Sequence, residues 1–164
     1  FDYRNANQAK VASDLIRALG LRNVVVGGHS LGGAIALRVA VNDPEVVGLV
    51  LMNPGIVTTG VPPIAKYLVF PFPRLQAKIF GNPEFRADFL RRSFVDPSIV
   101  TEQVVADLSL TSRSEGYLRG MTNLMGQYQD ADEIPLLAQV KVPALIAWGA
   151  QDRGKPAGEF EELR

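Results

Sequence analysis

Ser30 stands in the run Gly28-His29-Ser30-Leu31-Gly32, a G-x-S-x-G pentapeptide that directly follows Val24-Val25-Val26 and precedes the helix-forming stretch Ala34 to Val41. That placement suits a nucleophile elbow. A strained strand-to-helix turn pushes the serine Oγ out at the carboxyl end of a sheet, and glycines two before and two after it let helix and strand approach closely. A helix beginning at the nucleophile turns its free N–H groups and positive dipole end toward the reacting centre, so the N–H of Leu31 is placed to stabilise an oxyanion. Chance supplies such a pentapeptide roughly 0.06 times per chain of this composition. The plainer reading of Ser30, a helix N-cap in a glycine-rich turn, explains the serine but neither glycine. A phosphate cradle is set aside, since no Lys follows the second glycine pair and no G-x-G-x-x-G aligns here.

The second candidate is Asp152, which follows the apolar run Ala144 to Trp148 and Gly149. A carboxylate just past a buried strand lies at the same sheet edge as Ser30, where it can hold an imidazole in one tautomer and stabilise its protonated form. An ordinary turn aspartate is the alternative. His29 is the only histidine, yet side chains at i and i+1 on a sharp turn diverge. We therefore read it as a packing residue, or one acting only through its neighbours, and not as the base. The chain has no cysteine, which excludes a disulfide scaffold, a thiolate metal site and a cysteine nucleophile.

The elements that must position these groups follow from periodicity. Val11, Ala12, Leu15, Ile16 and Leu19 recur at helical spacing from Asn7 to Leu19, with Gly20 as the stop. Val24 to Val26 and Val46 to Met52 lack polar alternation, which predicts strands covered on both faces, as in a parallel sheet. Helix, strand, helix, strand with short connections is an α/β pattern, and right-handed crossovers set the strands side by side and parallel. Ala144 to Trp148 is the third strand, and a last helix starts near Pro156. Between these parts the pattern changes: Pro54, Pro62, Pro63, Pro71 and Pro73 are followed by helical stretches at Glu84–Ser93 and Thr101–Leu110. Ser112 and Glu115 form a capping box before Leu118, Met121, Met125 and Tyr128. Six of the eight Phe lie in this insert, enough for a small core of its own or an apolar pocket, and Arg86, Arg91, Arg92, Arg113 and Arg119 read as a solvated face.

Composition narrows the function classes. Seventeen basic and seventeen acidic residues in 164 give a net charge of zero, without the basic stripe that nucleic-acid binding requires. At 47% hydrophobic the chain is a folded protein with a core. The uncharged run Val46 to Ala65 has the length of a membrane span, but Asn53, Pro54, Gly55, Gly60, Pro62 and Pro63 break it. No start Met or leader pattern opens the chain, which begins at Phe1 as though cut from something longer; the expected compartment is the cytoplasm.

On VVVGGHSLGG at Val24 to Gly33, VVGLVLMNP at Val46 to Pro54 and VPALIAWGAQD at Val142 to Asp152, the sequence resembles the α/β-hydrolase family, in particular members with a helical cap between the sixth and seventh strands. The resemblance implies a parallel-sheet core made of residues 1–54 (the fifth strand, elbow, helix and sixth strand) and 140–164 (the seventh strand, acid loop and the start of a helix), with a cap at 55–139. It implies Ser30 as nucleophile and Asp152 as acid; Asn53, where some relatives carry the acid, cannot supply a charge. The family's first four strands and last strand have no counterpart here, nor has its base histidine, so the expectation is an internal piece of a longer hydrolase, inactive alone. The implied activity is hydrolysis of a small or medium apolar ester or lactone through an acyl-enzyme, with no metal and no cofactor. A carbon–carbon bond hydrolase and a non-catalytic ligand receptor are the alternatives.

Overall fold

Three apolar runs become strands and the polar-punctuated segments between them become helices. In chain order the computed structural model has α1 (Asn5–Ala18), β1 (Val24–His29), α2 (Leu31–Asn42), β2 (Val46–Met52), α3 (Phe72–Gly81), α4 (Pro83–Ser93), α5 (Glu102–Ser109), α6 (Tyr117–Gly126), α7 (Ile134–Leu137), β3 (Ala144–Ala147) and α8 (Gly158–Glu162). It describes residues 1–59, 67, 69–127, 132–152, 155 and 158–163; Pro156 and Tyr128, singled out above, lie outside these. The chain divides into two units, Phe1–Pro62 with Gln129–Arg164, and Pro63–Tyr128.

In the first unit the three strands form one parallel sheet in the order β1-β2-β3. Val26 pairs with Leu49, and Leu51 with Ile146. The α/β class expected from the sequence is therefore present. Helix α2 packs on β1 and β2, and α1 packs on α2. Ala34, Ala36, Leu37, Val39 and Ala40 of α2 are buried with Leu49 and Leu51 of β2. Small side chains along α2 bring its axis close to the sheet, which sets the elbow tightly against both strands.

Two expectations about burial are corrected. Strand β1 is not covered on both faces: Val24, Val26 and Gly28 are at least partly buried, whereas Val25, Gly27 and His29 are exposed. The described helices cover the face that α2 occupies and leave Val25 and Leu145 of the other face about 60% exposed, at 60% and 62%. In α1, Ala9, Ala12 and Ile16 make the packed stripe, while Val11, Leu15 and Leu19 are exposed. A helix resting on one neighbouring helix buries a single i, i+3, i+7 row, not the wider stripe that the spacing suggested.

The sequence did not announce the buried polar knot of this unit. Glu133, fully buried, accepts from Asn5 Nδ2 at 2.8 Å and from Arg38 Nε at 3.0 Å. Asp132 accepts from the other side of the Arg38 guanidinium. Burial alone would lower the affinity of Arg38 for its proton, but the hydrogen bonds it donates to Asp132 and Glu133 more than reverse this and push its pKa up.

In the second unit α3 packs on α4 and α6, and α4 on α5. Phe80, Phe85 and Phe89 form its aromatic contact, with Phe80 edge-on to Phe85 at 5.2 Å. Arg86 is not part of a solvated face. Its Nε donates to the Phe80 carbonyl at 2.6 Å, its terminal nitrogens donate to the Leu108 carbonyl, to Thr111 Oγ1 and to Tyr117 Oη, and it stacks on the Tyr117 ring. One planar fork thus ties together the ends of three helices. The expected capping box does not form: Ser112 lies in a 3₁₀ turn and donates to the Ser109 carbonyl, and α6 starts after Gly116 at φ 83°.

Candidate active site

The parallel sheet carries β1, β2 and β3 to the same edge, so the residues after each strand share that edge. These are Ser30, Asn53 and Asp152.

Ser30 adopts φ 52° and ψ −122°, a backbone conformation that a residue with a Cβ rarely takes and that costs on the order of 1–3 kcal/mol. Surrounding main chain holds it there. Its N–H donates to the Met52 carbonyl at 3.2 Å, and its carbonyl accepts the N–H groups of Gly33 at 2.9 Å and Gly55 at 2.8 Å. Although Ser30 occupies the N-cap position of α2, its side chain makes no capping hydrogen bond, which removes the plain N-cap explanation. Leu31 opens α2, and among the described residues its N–H has no acceptor. An N–H without an acceptor, beside a serine whose hydroxyl caps nothing, can donate to the negative charge that develops on a carbonyl oxygen there.

The glycines explain how the turn closes. A Cβ on Gly28 would sit 2.1 Å from the Gly32 carbonyl oxygen and 2.6 Å from the Gly33 nitrogen, all main chain, so strand and helix touch there. The close approach expected of Gly32 falls one residue later. A Cβ on Gly32 meets nothing within 4 Å, whereas one on Gly33 would lie 2.6 Å from Pro54 Cβ. His29, read as a packing residue, is exposed at the end of β1, opposite Met52 in the register.

Asp152 is exposed on the loop after β3, with both carboxylate oxygens engaged. Oδ1 accepts the Lys155 N–H at 3.1 Å, and Oδ2 accepts from Asn53 Nδ2. Asn53, at φ 40°, also accepts the Gly149 N–H on its Oδ1 at 3.0 Å and receives Lys155 Nζ on its main-chain carbonyl at 2.9 Å. Lys155 is only 5% exposed. Burial pushes its pKa below the usual lysine value, and the charges of Glu159 and Asp152 oppose that shift. Glu159, itself buried, accepts from Thr58 Oγ1 at 2.7 Å. The structure thus brings the residues after β2 against both Ser30 and Asp152. Sequence reasoning placed Asn53 after the sixth strand only as a position that cannot supply the acid, and missed its hydrogen bonds to Asp152 and Gly149, the close approach at Gly33 and the buried Lys155. The one available signal was a lysine, where an apolar residue would suit burial, between Asp152 and the last helix.

The groove lined by Ile16, Gly20, Leu21, Pro44 and Glu45 lies before β1 and β2, at the opposite edge from Ser30.

The whole chain, residues 1–164, matches the model of the Alpha/beta hydrolase family. It is 27% identical over 158 residues to the uncharacterized hydrolase YugF of Bacillus subtilis (strain 168), covering 95% of this chain and 58% of that protein. It is 29% identical over 163 residues to a 2-hydroxy-6-oxononadienedioate/2-hydroxy-6-oxononatrienedioate hydrolase of Pseudomonas sp, covering 93% of this chain and 55% of that one. Among solved structures it resembles a thermophilic esterase from Thermogutta terrifontis, with a TM-score of 0.67 and 23% identity over 94% of this chain and 57% of the other. The chain thus spans a little over half the length of each of these relatives. No helix among the described residues is long and apolar enough to cross a membrane.

Proposed function

The chain belongs to the alpha/beta hydrolase family, and from that premise we propose that it carries the nucleophile and the acid of a serine hydrolase acting on a small or medium apolar carboxylic ester or lactone. The observation that carries this reading is Ser30, held at positive φ with no capping bond, beside the Leu31 N–H, which has no acceptor among the described residues. Ser30 Oγ attacks the substrate carbonyl and its proton passes to an imidazole, leaving a tetrahedral oxyanion against the Leu31 N–H. Collapse expels the alcohol, which takes the proton from the imidazolium. Water then repeats the sequence on the acyl-enzyme and releases the acid. Asp152 orients the imidazole and supports its charge. In this reading His29, exposed at the end of β1, is not that imidazole, which the complete polypeptide supplies from another histidine. Neither a metal nor an organic cofactor enters this scheme.

A second reading has a specific observation behind it: relatives near 29% identity carry the name of hydrolases that cleave 2-hydroxy-6-oxo dienoates. The two are separated by assaying the complete polypeptide bearing these residues on aryl esters and on a 2-hydroxy-6-oxo dienoate. In either case Ser30→Ala lowers turnover on the order of 10⁶-fold and Asp152→Asn on the order of 10⁴-fold, while His29→Gln leaves most activity. A loss below about tenfold for Ser30→Ala would overturn the nucleophile assignment. Ligand binding with negligible turnover on both substrates would favour a receptor.

A further inference from the structure

Asn53, Asp152 and Lys155 close a ring of hydrogen bonds. Asn53 Nδ2 donates to Asp152 Oδ2, the Lys155 N–H donates to Asp152 Oδ1, and Lys155 Nζ returns to the Asn53 carbonyl. Asn53 also holds the Gly149 N–H, so one side chain fixes both the start of the acid loop and the carboxylate at its tip. We propose that Asn53 and Lys155 are positioning residues for Asp152: Asn53 aims the carboxylate, and the Lys155 ammonium tempers how strongly that carboxylate holds a proton on its imidazole partner. The proposal rests on the reading of Asp152 as the triad acid.

An ammonium 5% exposed, with a single acceptor at Nζ among the described residues, loses hydration without full replacement. Its charge offsets the buried Glu159 carboxylate and Asp152. The charged groups acting on it are Asp152 from its own loop and Glu159 from α8. Glu159 is held by the Thr58 hydroxyl and lies on the helix side, while the ring directs Nζ to Asn53, next to Gly55, where a Cβ would lie 3.4 Å from Nζ and 3.3 Å from the Ser30 carbonyl oxygen. The cation therefore sits beneath the elbow. A positive charge there disfavours an imidazolium in contact with Asp152, which lowers the pH at which the neutral base becomes available.

The test uses the complete polypeptide and follows the second-order rate at which a fluorophosphonate labels Ser30, located by peptide mass, between about pH 5 and 9. Lys155→Met, close in volume, should move the acid limb of the rate profile upward by about 0.5–1 pH unit, and Lys155→Arg, which keeps the charge, should leave it near its original place. Asn53→Gly removes the donor without straining the positive φ, and should slow labelling about 10- to 100-fold at every pH. Labelling at the unsubstituted rate with an unmoved acid limb in Lys155→Met and Asn53→Gly overturns the proposal while the hydrolase reading stands. Failure of the unsubstituted protein to label at Ser30 overturns that reading, and the proposal with it.

Discussion

The carboxyl edge of the sheet and the helical unit at Pro63–Tyr128 hold themselves together in opposite ways. At the edge, main chain meets main chain: Ser30 is pinned by Met52, Gly33 and Gly55, and Gly28 leaves no room for even one carbon. In the helical unit, side chains do the joining, with the Arg86 fork reaching Phe80, Leu108, Thr111 and Tyr117, and a Phe80–Phe85–Phe89 cluster beside it. Main-chain contacts tolerate almost no change in the residue that permits them but are indifferent to side chains pointing elsewhere. Side-chain ties are replaceable singly, at a cost graded by how many partners are lost. The turn at Ser30 is therefore held by main chain, and the helical unit by an ordinary small core.

The largest effect expected from this contrast is at Gly28. In Gly28→Ala the new carbon meets carbonyl and amide atoms of Gly32 and Gly33 at 2.1–2.6 Å, none of which can rotate away. The turn must open, which displaces Ser30 and, in the complete polypeptide, costs at least about 10²-fold in kcat/KM on an aryl ester. Unaltered activity would mean that the elbow is softer than its geometry indicates.

Next in size is Glu133→Ala, in the sheet unit but away from its edge. It leaves Arg38 and Asn5 facing an empty buried site, and should lower the free energy of unfolding by about 3–5 kcal/mol in urea with kcat at low temperature unchanged. A fall in kcat alone would connect the knot to the chemistry. Arg86→Met in the helical unit should cost about 1–3 kcal/mol, with Arg86→Lys recovering little because an ammonium cannot reproduce the planar fork. Arg119→Met on the exposed side of α6 should fall within about 0.5 kcal/mol of the parent. Equal effects for Arg86 and Arg119 would erase the distinction between a tie and a solvated charge.

These differences also decide what the sequence could reveal. The elbow was legible because a main-chain requirement writes itself in letters: a glycine where no Cβ fits and a serine where the chain turns from strand to helix. The three strands and their parallel order followed from apolar runs and short connections. Arg86 was misread because an arginine on a helix looks the same whether its head lies in water or among carbonyls 22 residues away. The bonds of Asn53 and the role of Lys155 escaped notice for a related reason, since these partners lie across the sheet edge and 99 and 102 positions along the chain. The widths of buried stripes were overestimated in α1 and β1, because periodicity reports which side of an element is apolar but not how much of that side a neighbour covers.

The smallest expected effect separates two glycines that the pentapeptide treats alike. Gly32 has helical main chain, and a Cβ built on it meets nothing within 4 Å. Gly32→Ala therefore adds a methyl group to open space and removes freedom from the unfolded chain, which should stabilise the protein by up to about 1 kcal/mol. Because the Gly28 contact is with the Gly32 carbonyl and not with its Cα hydrogens, the turn keeps its shape, and kcat should stay close to that of the parent. Urea unfolding and an aryl ester assay on one preparation of the complete polypeptide check both halves. A raised stability with a raised KM would show that the open space belongs to the substrate, whereas a loss of stability would mean that the contact with Pro54, assigned here to Gly33, is shared by Gly32.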